Sequence, residues 1–275
     1  MPLPRTLYRR ALRASPHVIA AVLAACGDGT APNDGSGLYR LETVNSLALP
    51  YRQPPSNSIP YFEISSAELL LRRDGTFSML IQGIGISFDG TYARANGELR
   101  LTVPNGEPGK PPLIMTSPAS NDSIRIEFLQ PPLVLLFRPS PMPAQSIRAA
   151  SYVLTQANGR SGLPLTLSDT VLQGTRYVYR VEFDSLWLTD GLFFRQHRAE
   201  SGTAYLANGD SIRDEDEGLS WGTYTSDGGW VVLRHYFMPV PTQKPTDSLA
   251  IGAGTLTRTT RLRAGQTVER YSRYR

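Results

Sequence analysis

The stretch LLLRRDGTF, residues 69–77, decides the fold because it joins an apolar run to a tight-turn signal. An Asp-Gly pair suits the positive φ angles of a short hairpin turn between two strands. A similar stretch, LWLTDGLFF, occurs at residues 186–194, and aligning the two Asp-Gly pairs places Phe77 opposite Phe193. The two stretches predict equivalent β-hairpins in two parts of the chain.

Three further pairs of segments follow the same order along the chain, which indicates an internal duplication. The repeat is long, so it predicts a duplicated domain and not a solenoid unit of about 20–50 residues. The second copy carries an insertion around residues 200–218, interpreted as a solvated loop. The matched pairs are YRLETVNSLALP (39–50) with YVLTQANGRSGLP (152–164), Gly90-Thr91-Tyr92 with Gly222-Thr223-Tyr224, and DSIRIEF from Asp122 with DSLAIGA from Asp247.

Short runs rich in β-branched and aromatic residues, separated by turn signals, predict β-strands throughout. Examples are ELLLRR, SIRIEF and TRYVYRVEF. We therefore expect an all-β protein with two tandem antiparallel meander barrels or sandwiches of about eight strands each. The predicted turns are Asp74-Gly75, Asp89-Gly90, Asn96-Gly97, Asn105-Gly106, Asn158-Gly159, Asp190-Gly191, Asn208-Gly209 and Asp227-Gly228.

The beginning of the chain has the pattern of a secretion signal. Four arginines precede an apolar run, residues 18–23, that is shorter than the roughly 20 residues of a membrane span. Residues 1–25 are therefore predicted to be a signal peptide, and the Gly-, Asp- and Asn-rich residues 26–37 a flexible tether.

The end of that signal, Leu23-Ala24-Ala25-Cys26, resembles the bacterial lipobox, which the lipoprotein signal peptidase cuts. The resemblance implies that Cys26 is acylated and anchors the mature chain to the inner or outer membrane of the cell envelope, facing the periplasm or the exterior. The alternative is a plain secretory signal cut after Ala25, which leaves Cys26 as a free thiol.

The charge and cysteine content exclude some classes of function. Of 28 Lys and Arg residues, four precede Cys26, and the remaining 24 balance 24 Asp and Glu. The mature chain therefore has no basic excess that would indicate nucleic-acid binding. Cys26 is the only cysteine, so disulfides cannot stabilise the fold.

We expect β domains at residues 38–138 and 150–275, joined by a Pro-rich linker at 139–149.

The opening Tyr-x-Leu…Asn…Leu-Pro, the Asp-Gly-x-Phe hairpin and Gly-Thr-Tyr together resemble the lipocalin-like small-barrel domains of bacterial envelope lipoproteins. The resemblance covers most of residues 38–137 and, more loosely, 151–275. It implies small meander barrels displayed at a membrane surface.

Candidate site residues fall into three groups, each with a structural alternative. Aromatic residues that recur in both copies could line a ligand-binding mouth or pack in the core. Asp210, Asp214 and Asp216 could bind Ca²⁺, but their spacing fits no EF-hand loop. His197 and His235 lie in strand-like runs without a metal-ligand spacing. No cofactor is expected. The aromatic candidates are Tyr39, Tyr92, Tyr152, Trp221, Tyr224 and Trp230.

These features favour a non-enzymatic module that binds an apolar small molecule or an envelope component. A structural or assembly lipoprotein with a protein partner is the alternative, and a hydrolase without a recognisable motif is a third. A binding module predicts an open apolar cavity in a barrel, a scaffold predicts filled barrels with an exposed apolar patch, and an enzyme predicts a cleft with clustered ionisable groups.

Overall fold

The computed structural model describes residues 35–55, 61–107, 109–118, 120, 122–129, 132–147, 149–237, 246–262 and 265–274. Within these ranges all regular structure is β-strand, which confirms the predicted all-β class. The described part of the chain contains no helix that is long and apolar enough to cross a membrane. The signal peptide, the lipobox residues and Cys26 lie outside the described residues.

The described residues form 21 strands, most of them in two large antiparallel sheets. The first eleven are β1 Gly37–Val44, β2 Leu47–Ala48, β3 Tyr51–Gln53, β4 Phe62–Ile64, β5 Ser66–Leu71, β6 Thr76–Gln82, β7 Ile86–Ala95, β8 Glu98–Val103, β9 Leu113–Pro118, β10 Ile124–Leu129 and β11 Pro132–Ser140. The others are β12 Ala150–Ala157, β13 Arg160–Ser161, β14 Leu165–Leu172, β15 Thr175–Thr189, β16 Phe193–Tyr205, β17 Ser211–Asp227, β18 Trp230–Phe237, β19 Thr246–Gly252, β20 Thr255–Leu262 and β21 Gly265–Arg273.

The first sheet is an eight-strand meander with its first strand beside its last. The strand order is β10-β11-β1-β5-β6-β7-β8-β9, and β2 pairs with β1. Its two end strands meet where the Arg125 N–H donates a hydrogen bond to Ser117 Oγ at 2.9 Å. Along β8, exposed and buried residues alternate, as expected for a strand with one face toward a core. The sheet therefore curls into a barrel.

The second sheet closes into a ring, which we call the second barrel. Its order runs from β12 through β21, β20, β19, β18, β17 and β16 to β15, and β15 pairs back with β12. That last pairing joins residues 150–153 of β12 to residues 185–188 of β15. Eight strands therefore complete the ring, which removes the exposed edges of an open sheet. The strands β13 and β14 extend the sheet outside it.

Contacts divide the chain into two compact units that do not follow chain order. One comprises the described residues up to Ala48, with Leu69–Met79 and Phe88–Pro139. The other comprises Leu49–Glu68, Leu80–Ser87 and Ser140–Arg275. In this second unit Gln145 Oε1 accepts from the Ser226 N–H at 2.5 Å, so the end of the predicted linker is bonded to β17.

The same backbone contacts occur at matching places in both halves of the chain. The Asn45 N–H donates to Val134 O and the Asn158 N–H donates to Val268 O, each at 2.8 Å, and each Asn Oδ1 accepts the return bond. Both asparagines have positive φ, near 50°. These matches align β1 and β11 with β12 and β21.

A second set of matched contacts centres on two glycines within strands. A Cβ on Gly90 would lie 2.0 Å from Thr102 O, and one on Gly222 would lie 1.9 Å from Arg234 O. Only glycine permits this approach of neighbouring strands. The Asp89-Gly90 pair predicted as a turn therefore lies inside β7, where the glycine serves cross-strand contact.

Three further sequence expectations are wrong in detail. A Cβ on Gly90 would also meet the ring of Phe77, and a Cβ on Gly222 would meet the ring of Phe194. Phe77 therefore corresponds to Phe194 and not to Phe193. The segments beginning at Asp122 and Asp247 lie on the seventh and sixth strands of their meanders, so they do not correspond. Residues 200–218 form no solvated loop, because β16 and β17 continue through them as a long hairpin.

Candidate functional site

The interior of the second barrel is divided along its strands into an apolar half and a charged half. On β16, Phe194 lies in the apolar half, and the next residues on the same side of the strand are Gln196, Arg198 and Glu200, all buried. The apolar half consists of Tyr152, Leu154, Leu186, Leu188, Phe194, Tyr224, Val231, Leu233, Leu249, Leu256 and Tyr271, and the same apolar cluster continues beside the charged residues to Ala157, Leu165, Leu167 and Val181.

We call the charged half the charged layer. Each of its side chains is at most 9% exposed, which is rare for ionisable residues unless they are paired. It holds four carboxylates, two guanidinium groups and one imidazole. Its members are Asp184, Arg198, Glu200, His235, Asp247, Arg258 and Glu269.

Arg198 lies at the centre of the charged layer and binds carboxylates from three strands. Its Nη1 donates to Asp184 Oδ2 at 2.5 Å, its Nη2 to Glu269 Oε1 at 2.7 Å, and its Nε to Glu200 Oε1. Asp184 Oδ2 also accepts from the Tyr271 hydroxyl at 2.7 Å. Charge-assisted bonds of this kind offset the large cost of burying a guanidinium group.

Arg258 and His235 complete the layer with looser contacts. Arg258 Nη2 lies 3.3 Å from Asp247 Oδ2, and its Nη1 lies 3.4 Å from Glu269 Oε2. His235 Nε2 is 3.6 Å from Asp247 Oδ2, beyond hydrogen-bond distance, and neither ring nitrogen has a hydrogen-bond partner among the described residues. The ring meets Phe194 edge to face, with centroids 4.8 Å apart.

The protonation of the layer follows from burial and from the two arginines. Burial alone would raise the pKa of Glu269, but Arg198 and Arg258 outweigh burial and hold that pKa below its ordinary value. Burial is likewise outweighed at Asp247, where Arg258 and His235 lower the carboxyl pKa. Burial and the charge of Arg258 lower the pKa of His235 against the opposing effect of Asp247, so the imidazole is neutral at pH 7.

The matching positions of the first sheet carry apolar side chains. Phe77 matches Phe194, Thr102 matches Arg234 and Val134 matches Val268. The alignment fixed by these three matches pairs six of the seven charged residues with an apolar residue. Glu200 has no counterpart because β6 ends at Gln82. The pairs are Asp184 with Ala67, Arg198 with Ile81, His235 with Val103, Asp247 with Met115, Arg258 with Ile126 and Glu269 with Leu135. The frame itself therefore does not require the charges.

Beyond the charged layer, one side of β14–β17 continues as an open sheet surface, which we call the open face. In the pairing register, Ala204 lies between Tyr177 and Ile212 in one row across the strands. Gly202 lies between Tyr179 and Asp214 in the next row. The Tyr179 hydroxyl donates to Glu200 Oε2 at 2.7 Å, which links the open face to the charged layer. The open face consists of Ser168, Thr170, Leu172, Thr175, Tyr177, Tyr179, Gly202, Ala204, Ile212, Asp214 and Asp216.

The structure does not bring the six aromatic candidates to one mouth. Tyr152 and Tyr224 lie in the apolar core of the second barrel, and the Tyr224 hydroxyl donates to Ile147 O at 3.0 Å. Trp221 stacks on Phe237 at 4.5 Å between centroids.

The remaining three aromatic candidates lie elsewhere. The Tyr39 and Tyr92 hydroxyls donate to the backbone at Gly35 O and Arg72 O, while Trp230 is half exposed beside a hairpin turn. A ligand-lining role for the six residues stays a prediction.

The candidate metal ligands and histidines are likewise separated. Asp214 and Asp216 share the open face, while Asp210 lies in the hairpin turn beside Asn208, and no three ligating side chains in the described ranges are placed to hold a metal ion. His197 lies at the surface, 3.0 Å from Glu217 Oε1. His235 is buried in the charged layer.

Sequence reasoning missed the charged layer, although one signal was present. Gln196, Arg198 and Glu200 occur at every second position of FRQHRAE, which places them on one side of a strand. Such a pattern ordinarily marks a solvated face. Only the β12–β15 pairing, which is distant in sequence, turns that face inward.

Comparison with known proteins gives little. No protein-family model matches the chain, and no curated protein matches it. Among solved structures, a point mutant of the vaccine antigen transferrin binding protein B from Haemophilus parasuis Hp5 aligns with 89% of this chain and 76% of its own. The sequence identity is 9% and the TM-score is 0.23, too low to carry fold or function from that protein to this one.

Proposed function

We propose that this protein is a lipid-anchored, non-enzymatic interaction protein of the bacterial cell envelope, with two filled barrels and a protein partner. Cys26 is the acylated residue, residues 1–25 are the signal peptide, and residues 26–37 are the tether. The β domains at 38–138 and 150–275 and the linker at 139–149 belong to the same proposal. The observation that carries the proposal is the filled interior of both barrels.

A cavity open to an apolar ligand would leave its lining side chains accessible. Instead, the inward side chains of both sheets are buried, and the most deeply buried, such as Leu99 and Phe137 in the first and Leu233 and Tyr271 in the second, are at most 1% exposed. The polar half of the second barrel is filled by ion pairs, which an apolar ligand could not replace without leaving buried charges unpaired. These interiors favour a protein partner over a small apolar ligand.

The ionisable cluster does not have the arrangement of an active site. Asp184 and Glu269 are bound by Arg198, and His235 has no adjacent serine or other nucleophile within hydrogen-bond distance in the described ranges. A general base must reach a substrate proton directly or through one water, whereas the charged layer is covered by protein. This supports a non-enzymatic role.

We also infer that the two barrels arose by internal duplication. The paired Asn45 and Asn158 contacts, and the close approaches at Gly90 and Gly222, support a shared ancestor for both halves. The two copies now differ in their interiors, which are apolar in the first and partly charged in the second.

The test of the proposal combines acylation with partner capture in the native envelope. Cells expressing the full chain are labelled with radioactive palmitate, and Cys26→Ser is compared with the matched control Thr30→Ser. The proposal predicts label and membrane attachment in the wild type and in Thr30→Ser, and neither in Cys26→Ser. Cross-linking in intact cells should give one discrete protein adduct. Label retained by Cys26→Ser would contradict the anchor, and the absence of any adduct would contradict the partner.

A further inference from the structure

The open face exists because β15, β16 and β17 continue beyond the residues that close the ring. Only residues 185–188 of β15 pair with β12, so its earlier residues pair with β14 instead. Across the hairpin, β16 and β17 stay paired from Phe193 and Thr223 out to Tyr205 and Ser211. A four-stranded sheet therefore leaves the barrel, and its inner side becomes the open face.

The open face exposes large apolar side chains where the sheet leaves the barrel. Leu172, Tyr177 and Ile212 are 61%, 44% and 62% exposed. The register places Tyr177 and Ile212 in one row across the strands, on either side of Ala204. Clustered exposed apolar residues are typical of a surface that binds a partner.

Charge is segregated between the two sides of this sheet. The opposite side carries Arg176, Arg180 and Arg213, and its acids are paired, as in Arg176 with Asp169 and Arg213 with Glu215. The open face carries Asp214 and Asp216 and no lysine or arginine. The surface around the exposed apolar side chains is therefore acidic and aromatic.

We propose that the open face binds a basic, extended segment of the partner protein, with lysine or arginine beside Asp214 and Tyr179 and aliphatic side chains against Leu172, Tyr177 and Ile212. This inference rests on the proposed function, because it names the kind of partner that the anchored protein binds. Charge complementarity selects a cationic segment.

Each contact of the bound segment has a physical basis. A cation above a tyrosine ring gains from the ring's negative face, and a carboxylate next to that ring strengthens the attraction. Asp214 lies across Gly202 from Tyr179 in the pairing register, and the missing side chain of Gly202 lets the Tyr179 ring pack over it, 3.6 Å from the position of a Cβ. An extended segment presents alternate side chains to one surface, which matches rows of residues on neighbouring strands.

The test measures fluorescence anisotropy with a fluorescein-labelled ten-residue peptide of alternating Lys and Val, using the mature chain with Cys26→Ser at low salt. The unmodified Asp214 protein should bind this peptide and not the corresponding Glu-Val peptide. Asp214→Asn should weaken binding about tenfold. The matched control is Glu215→Gln, on the other side of the same strand, which should change binding by less than about twofold.

Several outcomes would overturn the proposal. Equal binding of the two peptides, or equal weakening by Asp214→Asn and Glu215→Gln, would show that the face does not select a cation. A dimer seen by sedimentation that Ile212→Ser dissociates would assign the face to a second copy. Binding to phosphatidylglycerol vesicles that Ile212→Ser abolishes would assign it to lipid. If only the peptide result fails while Cys26 labelling and the cross-linked adduct stand, the proposed function is unaffected.

Discussion

Gly222 shows how one residue can hold two strands together. It lies in the middle of β17 without a positive φ, so its role is space and not backbone freedom. A Cβ there would lie 1.9 Å from Arg234 O and 2.9 Å from the Phe194 ring. In a close-packed interior, neither the Arg234 backbone nor the buried Phe194 ring can move aside without a substantial cost in free energy.

We predict that Gly222→Ala lowers the free energy of unfolding by about 2 kcal/mol or more, because overpacking forces the strands apart. The matched control is Gly202→Ala, where the added Cβ would meet only the Tyr179 ring at an ordinary 3.6 Å. The control should change stability by less than about 0.5 kcal/mol. Urea denaturation of both variants measures this, and equal stability of the two would refute the steric role of Gly222.

At the scale of elements, the charged layer acts as one unit. Arg198 binds carboxylates on β15, β16 and β21, so removing it takes the nearest cation away from buried carboxylates on three strands. Replacing a whole buried ion network by apolar residues is often neutral, whereas removing one partner costs about 3–5 kcal/mol. The apolar counterparts in the first sheet provide a natural set of replacements.

We predict that Arg198→Met alone lowers the free energy of unfolding by about 3–5 kcal/mol. The exposed pair of Arg176 with Asp169 offers a control, and Arg176→Met should cost less than about 1 kcal/mol. A combined variant should recover the stability of the wild type to within about 2 kcal/mol. It carries Asp184→Ala, Arg198→Ile, Glu200→Gln, His235→Val, Asp247→Met, Arg258→Ile and Glu269→Leu. A combined variant as unstable as Arg198→Met would mean that the charges are needed for folding.

The same layer makes stability depend on pH in a stated direction. His235, Asp247 and Glu269 all have lowered pKa values in the folded chain, so the unfolded chain binds protons first as the pH falls. Their contribution is complete above about pH 6.5 and is lost on acidification, first through His235 and then, below about pH 4, through the two carboxylates.

We therefore predict that the thermal midpoint falls as the pH is lowered from about 6.5 to 5. Over this range the free energy of unfolding should decrease by up to about 1.4 kcal/mol per pH unit for one proton. His235→Val should flatten this part of the curve and leave the fall near pH 4. The matched control is His197→Gln, which removes an exposed imidazole beside Glu217. Calorimetry across this range decides, and an unchanged slope in His235→Val would contradict the assignment.

The limits of sequence reasoning follow from which interactions are local. The turns at Asn96-Gly97, Asn158-Gly159 and Asp190-Gly191 were predictable because both residues of each pair adopt positive φ through their own chemistry. Gly90 was misassigned to a turn because its role depends on Thr102 in the next strand. The charged layer was missed for the same reason, since β12–β15 closure is distant in sequence.

At the scale of the whole molecule, two barrels with related contacts differ in what fills them. The first has an apolar interior, and the second has an apolar half, a charged half and a sheet that extends beyond the ring. Filled interiors leave the outer surfaces as the places for recognition. An anchor at Cys26 would hold those surfaces at the membrane.

The most direct test of the filled barrels is native mass spectrometry of the acylated protein, extracted gently from its own envelope, before and after mild organic extraction. We predict the mass of the chain from Cys26 with its acyl groups. Extraction should remove only bound lipid or detergent, and the amount removed should be the same from a variant that carries Asp184→Ala and Arg198→Ile. A stoichiometric apolar molecule that extraction removes, and that substitutions of inward residues such as Leu233→Ala displace, would contradict the filled interior and return the protein to the class of small-molecule binders.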